Sequence, residues 1–278
     1  MKNFKKLTCL LLGLATAYML HASEREMTVC GWFKERFMFK LWSSIAPNPD
    51  ASRVQSNPYI KNIKFTTSDN TKLNGYVNYA RADTAGEKTG EGCILMALGN
   101  AMISDQVIGR LNGFSEKGYD VYIYDYRGYG DSEGKRRINA MIEDYKEIIF
   151  HLNEQYEKIA LYGISLGGAI ILNAVGSGAK FDRAVIDSSP SRFSIYGCPE
   201  EIDPVNNLPE DSSDIFIITG EADQVLKPSS TSELRELAKS KGAMTYNDKS
   251  YAHPFMDADP ATHDDRMSRV INFLSAEK

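Results

Sequence analysis

Gly163-Ile164-Ser165-Leu166-Gly167 constrains this chain more than any other stretch, because of what flanks it. An apolar, strand-like run at 158–162 leads in, and a small, apolar, helix-like run at 168–175 leads out. Gly-x-Ser-x-Gly between a strand and a helix is the setting of a nucleophile elbow. So sharp a turn holds its serine in a strained backbone conformation. Side chains at the two flanking positions would meet the neighbouring strand or helix, so glycine is required at both. The hydroxyl of Ser165 then stands above the sheet edge at a helix N-terminus, where the dipole favours developing negative charge. The pentapeptide alone is a weak signal in a chain with 21 glycines; its flanks give it meaning.

The rest of the chain repeats the alternation. Residues 60–79 read as a β-hairpin, with a turn at Ser68-Asp69-Asn70. Strands are predicted at 93–98, 119–124, 181–186, 215–219 and 243–247, and helices at 105–117, 138–156, 229–241 and 262–276. Strands alternating with helices of this length make an α/β fold, a mostly parallel sheet with helices on both faces. Such a sheet carries its chemistry on loops at the C-terminal ends of its strands.

A serine hydroxyl needs a general base, and the base needs an orienting carboxylate. The chain has four histidines. His21 lies in the N-terminal leader and His151 inside a long amphipathic helix. His263 begins the last helix, which suits a surface or capping role. His253 follows the last strand, where a loop residue can hang over the serine, and it is the predicted base. The acid should lie between serine and histidine in the chain. Asp223, in the loop after the 215–219 strand, is predicted over its rivals Glu221 and Asp187. Two backbone N–H groups should hold an oxyanion. One is that of Leu166; the other belongs to Asn100 or Ala101, between which the sequence does not choose.

With these residues in order, the chain resembles the α/β-hydrolase superfamily. Within it, it is similar to serine esterases that carry Asp-Tyr-Arg-Gly-Tyr-Gly-x-Ser after the fourth strand, here Asp125-Tyr126-Arg127-Gly128-Tyr129-Gly130-Asp131-Ser132. That subgroup has His-Gly-Asn-Ala at the oxyanion loop. Here the loop reads Leu98-Gly99-Asn100-Ala101, with leucine in place of a histidine that is not one of the catalytic three. The match runs from about residue 60 to 275. It implies hydrolysis of ester, thioester or lipid-ester bonds, including protein depalmitoylation in some members. The 125–132 run is expected to shape the pocket floor as a glycine-rich turn held by Asp and Arg hydrogen bonds. Residues 188–213 carry Pro199, Pro204 and Pro209 and little helical period, so a short cover is expected rather than a lid domain. The same apparatus would serve an amidase or peptidase. A non-catalytic binding protein on this scaffold would have no need of all three residues.

The N-terminus stands apart. Lys2, Lys5 and Lys6 precede an apolar run at 7–20 and the charged Glu24-Arg25-Glu26. This is the pattern of an export signal, cleaved or kept as an anchor, and the run is short for a spanning helix. Residues 1–23 are therefore assigned to export or anchoring, 24–58 to an amphipathic N-terminal segment and 59–278 to the hydrolase domain. An exported protein, periplasmic, secreted or anchored facing outward, follows. Both tryptophans, Trp32 and Trp42, lie in a stretch with interleaved cations. It fits a helix on a membrane surface and a helix docking its aromatic face on the domain equally well. Cys30 and Cys198 could pair in an oxidising compartment, and Cys93 reads as a buried thiol. A net charge of −5, with no basic stripe, zinc-spaced Cys/His cluster or Walker-type loop, argues against nucleic acid, metal and cofactor partners.

Overall fold

The computed structural model describes residues 25–43, 46–81 and 90–276. Eight strands form one sheet: β1 (Ile60–Thr66), β2 (Lys72–Asn78), β3 (Gly92–Ala97), β4 (Tyr119–Tyr124), β5 (Lys158–Ile164), β6 (Arg183–Asp187), β7 (Ile215–Gly220) and β8 (Met244–Asp248). Their spatial order is β1-β2-β4-β3-β5-β6-β7-β8. The predicted hairpin is β1 against β2, with Thr66 opposite Lys72. β2 runs antiparallel to β4, and every later pairing is parallel. The chain leaves β3 for β4 on one side and later returns to β5 on the other. The C-terminal ends of β3 and β5 thus flank a switch point, where open α/β sheets bind ligands.

Every residue of β3 and β7 is buried. Both faces of the sheet centre are therefore covered, as a parallel sheet requires. The helices are α1 (Trp32–Ser43), α2 (Ser104–Val107), α3 (Asn112–Ser115), α4 (Ile138–Asn153), α5 (Leu166–Gly176), α6 (Pro228–Ser240) and α7 (Pro260–Leu274). α4 buries Ile138, Met141, Tyr145, Ile148 and Leu152, the three- and four-residue spacing of one helical face. α5 is apolar all round and buried from Leu166 to Val175.

The predicted helix at 105–117 is instead three short pieces: α2, a 3₁₀ turn at Ile108–Leu111, and α3. Val107, Ile108, Leu111 and Phe114 still point inward, so the apolar spacing was correctly read. What it does not report is close packing: a Cβ on Gly113 would lie 2.7 Å from Ile271 Cδ1 of α7. Glycine serves that contact and weakens the helix.

Residues 188–213 form a short cover of 3₁₀ turns, and no helical domain is inserted. Asp203, fully buried, ties it together by accepting from the Phe193 and Ser194 N–H groups at 2.6 and 2.7 Å. Cys198 in this cover is disulfide-bonded to Cys30, and Cys93 is a buried free thiol.

The expected leader at 1–23, with His21, lies outside the described residues. Among those described, no helix is long and apolar enough to cross a membrane. α1 turns Glu35 and Phe39 inward, while Phe33 and Phe37 stack on each other at its exposed face. The side chains of Trp32 and Trp42 lie outside the described set.

Candidate active site

β5 ends at Ile164 and α5 begins at Leu166, leaving Ser165 alone at the turn with φ 52° and ψ −116°. An L-residue adopts such a backbone only when its surroundings impose it. A Cβ at Gly163 would lie 2.6 Å from the Gly168 Cα, and one at Gly167 would lie 2.1 Å from the Ala97 carbonyl oxygen. Helix and strand thus crowd the two glycines from either side. The Ser165 N–H donates to the Asp187 carbonyl at 2.9 Å, fixing the turn to β6. Ala101, Ser188 and Phe255 also have φ between 51° and 65°. Strained non-glycine residues therefore gather at the same end of the sheet.

Asp223 and His253 meet because the loops after β7 and β8 are stitched together. The Ala222 N–H donates to the Tyr251 carbonyl at 3.1 Å. His253 Nδ1 lies 2.8 Å from Asp223 Oδ2. The other carboxylate oxygen accepts from the Val225 and Leu226 N–H groups, each at 2.8 Å. One oxygen is spent on the backbone and the other faces the imidazole, so the proton sits on Nδ1 and Nε2 is left as the acceptor. Burial alone would raise the Asp223 carboxyl. The bond from His253, the imidazole charge and the two N–H groups outweigh it, holding the carboxyl below its ordinary range.

The rivals have other partners. Glu221 is exposed and accepts from Asn247 Nδ2 at 3.0 Å. Asp187 is fully buried and pairs with Arg266 at 3.0 Å. Arg266 is also 3.0 Å from Asp257, so two buried carboxylates share one guanidinium. Burial pushes the Asp187 carboxyl up against the pull of Arg266, with Asp257 adding to the rise. His263 lies against the Phe255 ring, 3.8 Å from Asp257. His151 sits on α4, half exposed, beside Gln155.

At the oxyanion loop the Ala101 N–H donates to Asn100 Oδ1 at 3.1 Å. Tyr129 Oη donates to the same oxygen at 2.5 Å, and Tyr126 Oη donates to the Leu98 carbonyl at 2.7 Å. The Asp-Tyr-Arg-Gly-Tyr-Gly run thus holds this loop through its two tyrosines. The expectation that it forms a pocket floor is corrected, since none of its residues is among those lining the cavity. The expected Asp and Arg hydrogen bonds are present but tie the run to the surrounding chain: Asp125 accepts from the Ser104 N–H at 2.6 Å, and Arg127 pairs with Asp69 and Asp144 at 2.7 and 2.6 Å. Burial raises Asp125 to about 6. That Tyr126 and Tyr129 hold the Leu98–Ala101 loop is what sequence reasoning missed. The motif was visible, but not where its hydroxyls reach.

Ser165 and His253 open on one cavity of about 500 Å³. Leu166, Asn100 and Ala101 line it too. Its other walls are mostly apolar, including Phe39, Met102, Ile138 and Phe193, and no carboxylate, lysine or arginine is among the described lining residues. No cluster that could hold a metal ion occurs among the described residues.

Known proteins share parts of this sequence and its fold. A family profile described as "Serine aminopeptidase, S33" matches residues 91–194. The uncharacterized protein YfhR of Escherichia coli K12 is 26% identical over 214 residues, covering 69% of this chain and 73% of YfhR. The thiohydrolase aneE of Aspergillus aculeatus is 30% identical over 145 residues, covering 49% of this chain and 41% of aneE. Among solved structures, the Pyrococcus furiosus esterase Pf2001 superposes with a TM-score of 0.61 at 18% identity, covering 82% of this chain and 96% of the esterase. XC6422 of Xanthomonas campestris, an α/β serine hydrolase without a lid, superposes with a TM-score of 0.58 at 14% identity, covering 82% of this chain and 95% of XC6422.

Proposed function

We propose that this chain, which has the α/β-hydrolase fold and matches a serine aminopeptidase family model over residues 91–194, is a serine hydrolase of carboxylic ester or thioester bonds. The observation that carries this reading is the 2.8 Å contact of His253 Nδ1 with Asp223, on an imidazole that opens on the same apolar cavity as the strained Ser165. Ser165 Oγ attacks the acyl carbonyl carbon while His253 Nε2 takes the hydroxyl proton. The tetrahedral oxyanion is held by the N–H groups of Leu166 and Asn100. Asn100 is chosen over Ala101 because the Ala101 N–H already serves the Asn100 side chain. His253 then gives the proton to the leaving oxygen or sulfur, and an acyl-Ser165 ester remains. Water attacks that ester with His253 again as base, releasing the acid and restoring the serine. Asp223 keeps the imidazole in one tautomer and stabilises its protonated form.

The serine aminopeptidase profile raises peptide hydrolysis as a second reading. An aminopeptidase must hold the ammonium of its substrate's first residue, and an ammonium buried without a partner is costly. The described cavity lining offers it no carboxylate, which favours a neutral acyl group. The test is a panel of esters, thioesters and aminoacyl amides with matched acyl groups, run on wild type and Ser165→Ala. Ester or thioester turnover that falls more than about a thousandfold in the variant supports the reading. Preferential cleavage of aminoacyl amides would replace it with the peptidase.

We propose export as well, with residues 1–23 as the signal or anchor, 24–58 as the segment after it and 59–278 as the hydrolase domain. The Cys30–Cys198 bond supports this, since such bonds persist in oxidising compartments. A cytoplasmic pool with both thiols open to alkylation would refute it. A membrane surface is the partner proposed for the outer face of α1. Phe33 and Phe37 are exposed there beside Lys34 and Arg36, the pairing of apolar and cationic groups that interfacial helices use. Phe33→Ser with Phe37→Ser should weaken binding to anionic vesicles, and unchanged binding would remove the proposal.

A further inference from the structure

The cavity wall includes residues remote in sequence from the hydrolase motifs. Cys30 and Phe39, from the N-terminal segment, line the cavity that Ser165 and His253 open on. Both are buried, at 2% and 3% exposure, so Phe39 meets the cavity from within the packed protein.

Besides the exposed Glu26–Lys135 ion pair, three further sets of bonds hold this segment in place among the described residues. Arg25, buried, pairs with Asp144 at 3.5 Å, with Asp69 at 3.9 Å and with Glu147. Glu35, fully buried, accepts from the Cys30 N–H at 3.0 Å and from the Ile138 N–H at 3.1 Å. Ile138 itself lines the cavity. Finally, the Cys30–Cys198 disulfide joins the segment, across a separation of 168 residues, to the cover that supplies Phe193 and Tyr196 to the same wall. The Ile138 N–H is the first of a helix, one of the donors a helix cannot satisfy itself. The carboxylate of Glu35 therefore docks the segment onto the start of α4 rather than onto a passing side chain.

We infer that residues 25–43 are a disulfide-latched wall of the substrate cavity, and that Phe39 is a specificity-determining residue for the length of the acyl group. The inference rests on the ester or thioester hydrolase reading above. A chain of methylenes entering the cavity meets the Phe39 ring. Removing the ring extends the apolar space available to a longer chain. Opening the disulfide frees the N-terminal side of the wall from the cover, while the Arg25 and Glu35 contacts remain.

The experiment measures kcat/KM on soluble p-nitrophenyl esters of increasing acyl length. The enzymes compared are wild type, Phe39→Ala, Phe39→Leu, Cys30→Ser with Cys198→Ser, and Phe150→Ala on the exposed face of α4, away from the cavity. The readout is the ratio of long-chain to short-chain activity within each enzyme, so a general loss of folded protein does not imitate the effect. In Phe39→Ala the ratio should rise about tenfold, the gain from burying roughly two more methylenes. Phe39→Leu should move it the same way by less, and Phe150→Ala should not move it. The double cysteine variant, and wild type treated with reductant, should shift the ratio toward longer chains. Unchanged ratios in both Phe39 variants would overturn Phe39 as the determinant. An unchanged ratio after the disulfide is removed would overturn the latch. Failure of wild type to turn over any ester or thioester would instead strike the functional reading, a different result from a flat length profile.

Discussion

Asp187 closes β6 and Asp223 follows β7 on the next strand, and both carboxylates are almost fully buried at the same end of the sheet. Asp187 faces Arg266, which also binds Asp257. Asp223 faces an imidazole and two backbone N–H groups. The first arrangement matches a carboxylate to a guanidinium, which does not titrate. In the proposed mechanism the second holds a group that gains and loses a proton during the reaction. The difference teaches that burial and strand position do not distinguish a catalytic acid from a structural one; the partner does.

Substitution of each aspartate should separate the two roles. Asp223→Asn keeps the shape but leaves the imidazole in the wrong tautomer. It should lower kcat/KM by about 10³–10⁴-fold with little change in thermal midpoint. His253→Ala should act on a similar scale. Next comes Asp187→Asn, which strands part of a buried charge cluster. Denaturant unfolding should show a loss of about 3–5 kcal/mol, while kcat/KM per folded molecule stays within about tenfold of wild type. If the two aspartates exchanged these signatures, the comparison would be reversed and Asp187 would be the catalytic acid.

The pH dependence of stability should also differ in sign. Asp223 is depressed in the folded state, so its stabilisation is present above the unfolded carboxyl value of about 3.9 and is lost as pH falls through the folded value. Asp187 is raised, so the folded state holds its proton longer. Its effect is a loss of stability as pH rises from about 3.9 through the folded value. Unfolding free energies across the acid range should therefore show a slope removed by Asp223→Asn and an opposite slope removed by Asp187→Asn. Slopes of the same sign would contradict the assignment of partners. The smallest effect is expected of His263→Ala. His263 lies near Asp257 in the structural cluster and should change kcat/KM by less than about threefold in the ester assay. A loss as large as that of His253→Ala would break the separation between the two regions.

Much of this arrangement was legible in the sequence, and unevenly. The elbow could be read because a strand, a strained turn and a buried helix each leave a local pattern, and 158–175 carries all three. The order of Ser165, Asp223 and His253 along alternating elements placed them on loops at one sheet end. What stayed hidden depends on contacts between distant parts of the chain. No local pattern tells that Asp187 meets Arg266 across 79 residues. None tells that Tyr126 and Tyr129 reach back to Leu98 and Asn100. In α1, charged and aromatic residues mix in a way that fits a membrane surface and a docked helix equally. The burial of Glu35 against the Cys30 and Ile138 N–H groups decides which face packs inward, and that depends on where α4 begins. The broken helix at 104–115 is a failure of another kind. The apolar spacing was right, but the backbone is three short turns, and Gly109 and Gly113 weaken a continuous helix there.

The central claim is that Ser165 is the nucleophile. Reaction of the full-length protein with a fluorophosphonate, followed by peptide mapping of the adduct, tests it most directly. One adduct on Ser165, formed at a rate that collapses in His253→Ala and absent in Ser165→Ala, is the predicted result. An adduct on another residue, or labelling that persists undiminished in Ser165→Ala, would contradict it.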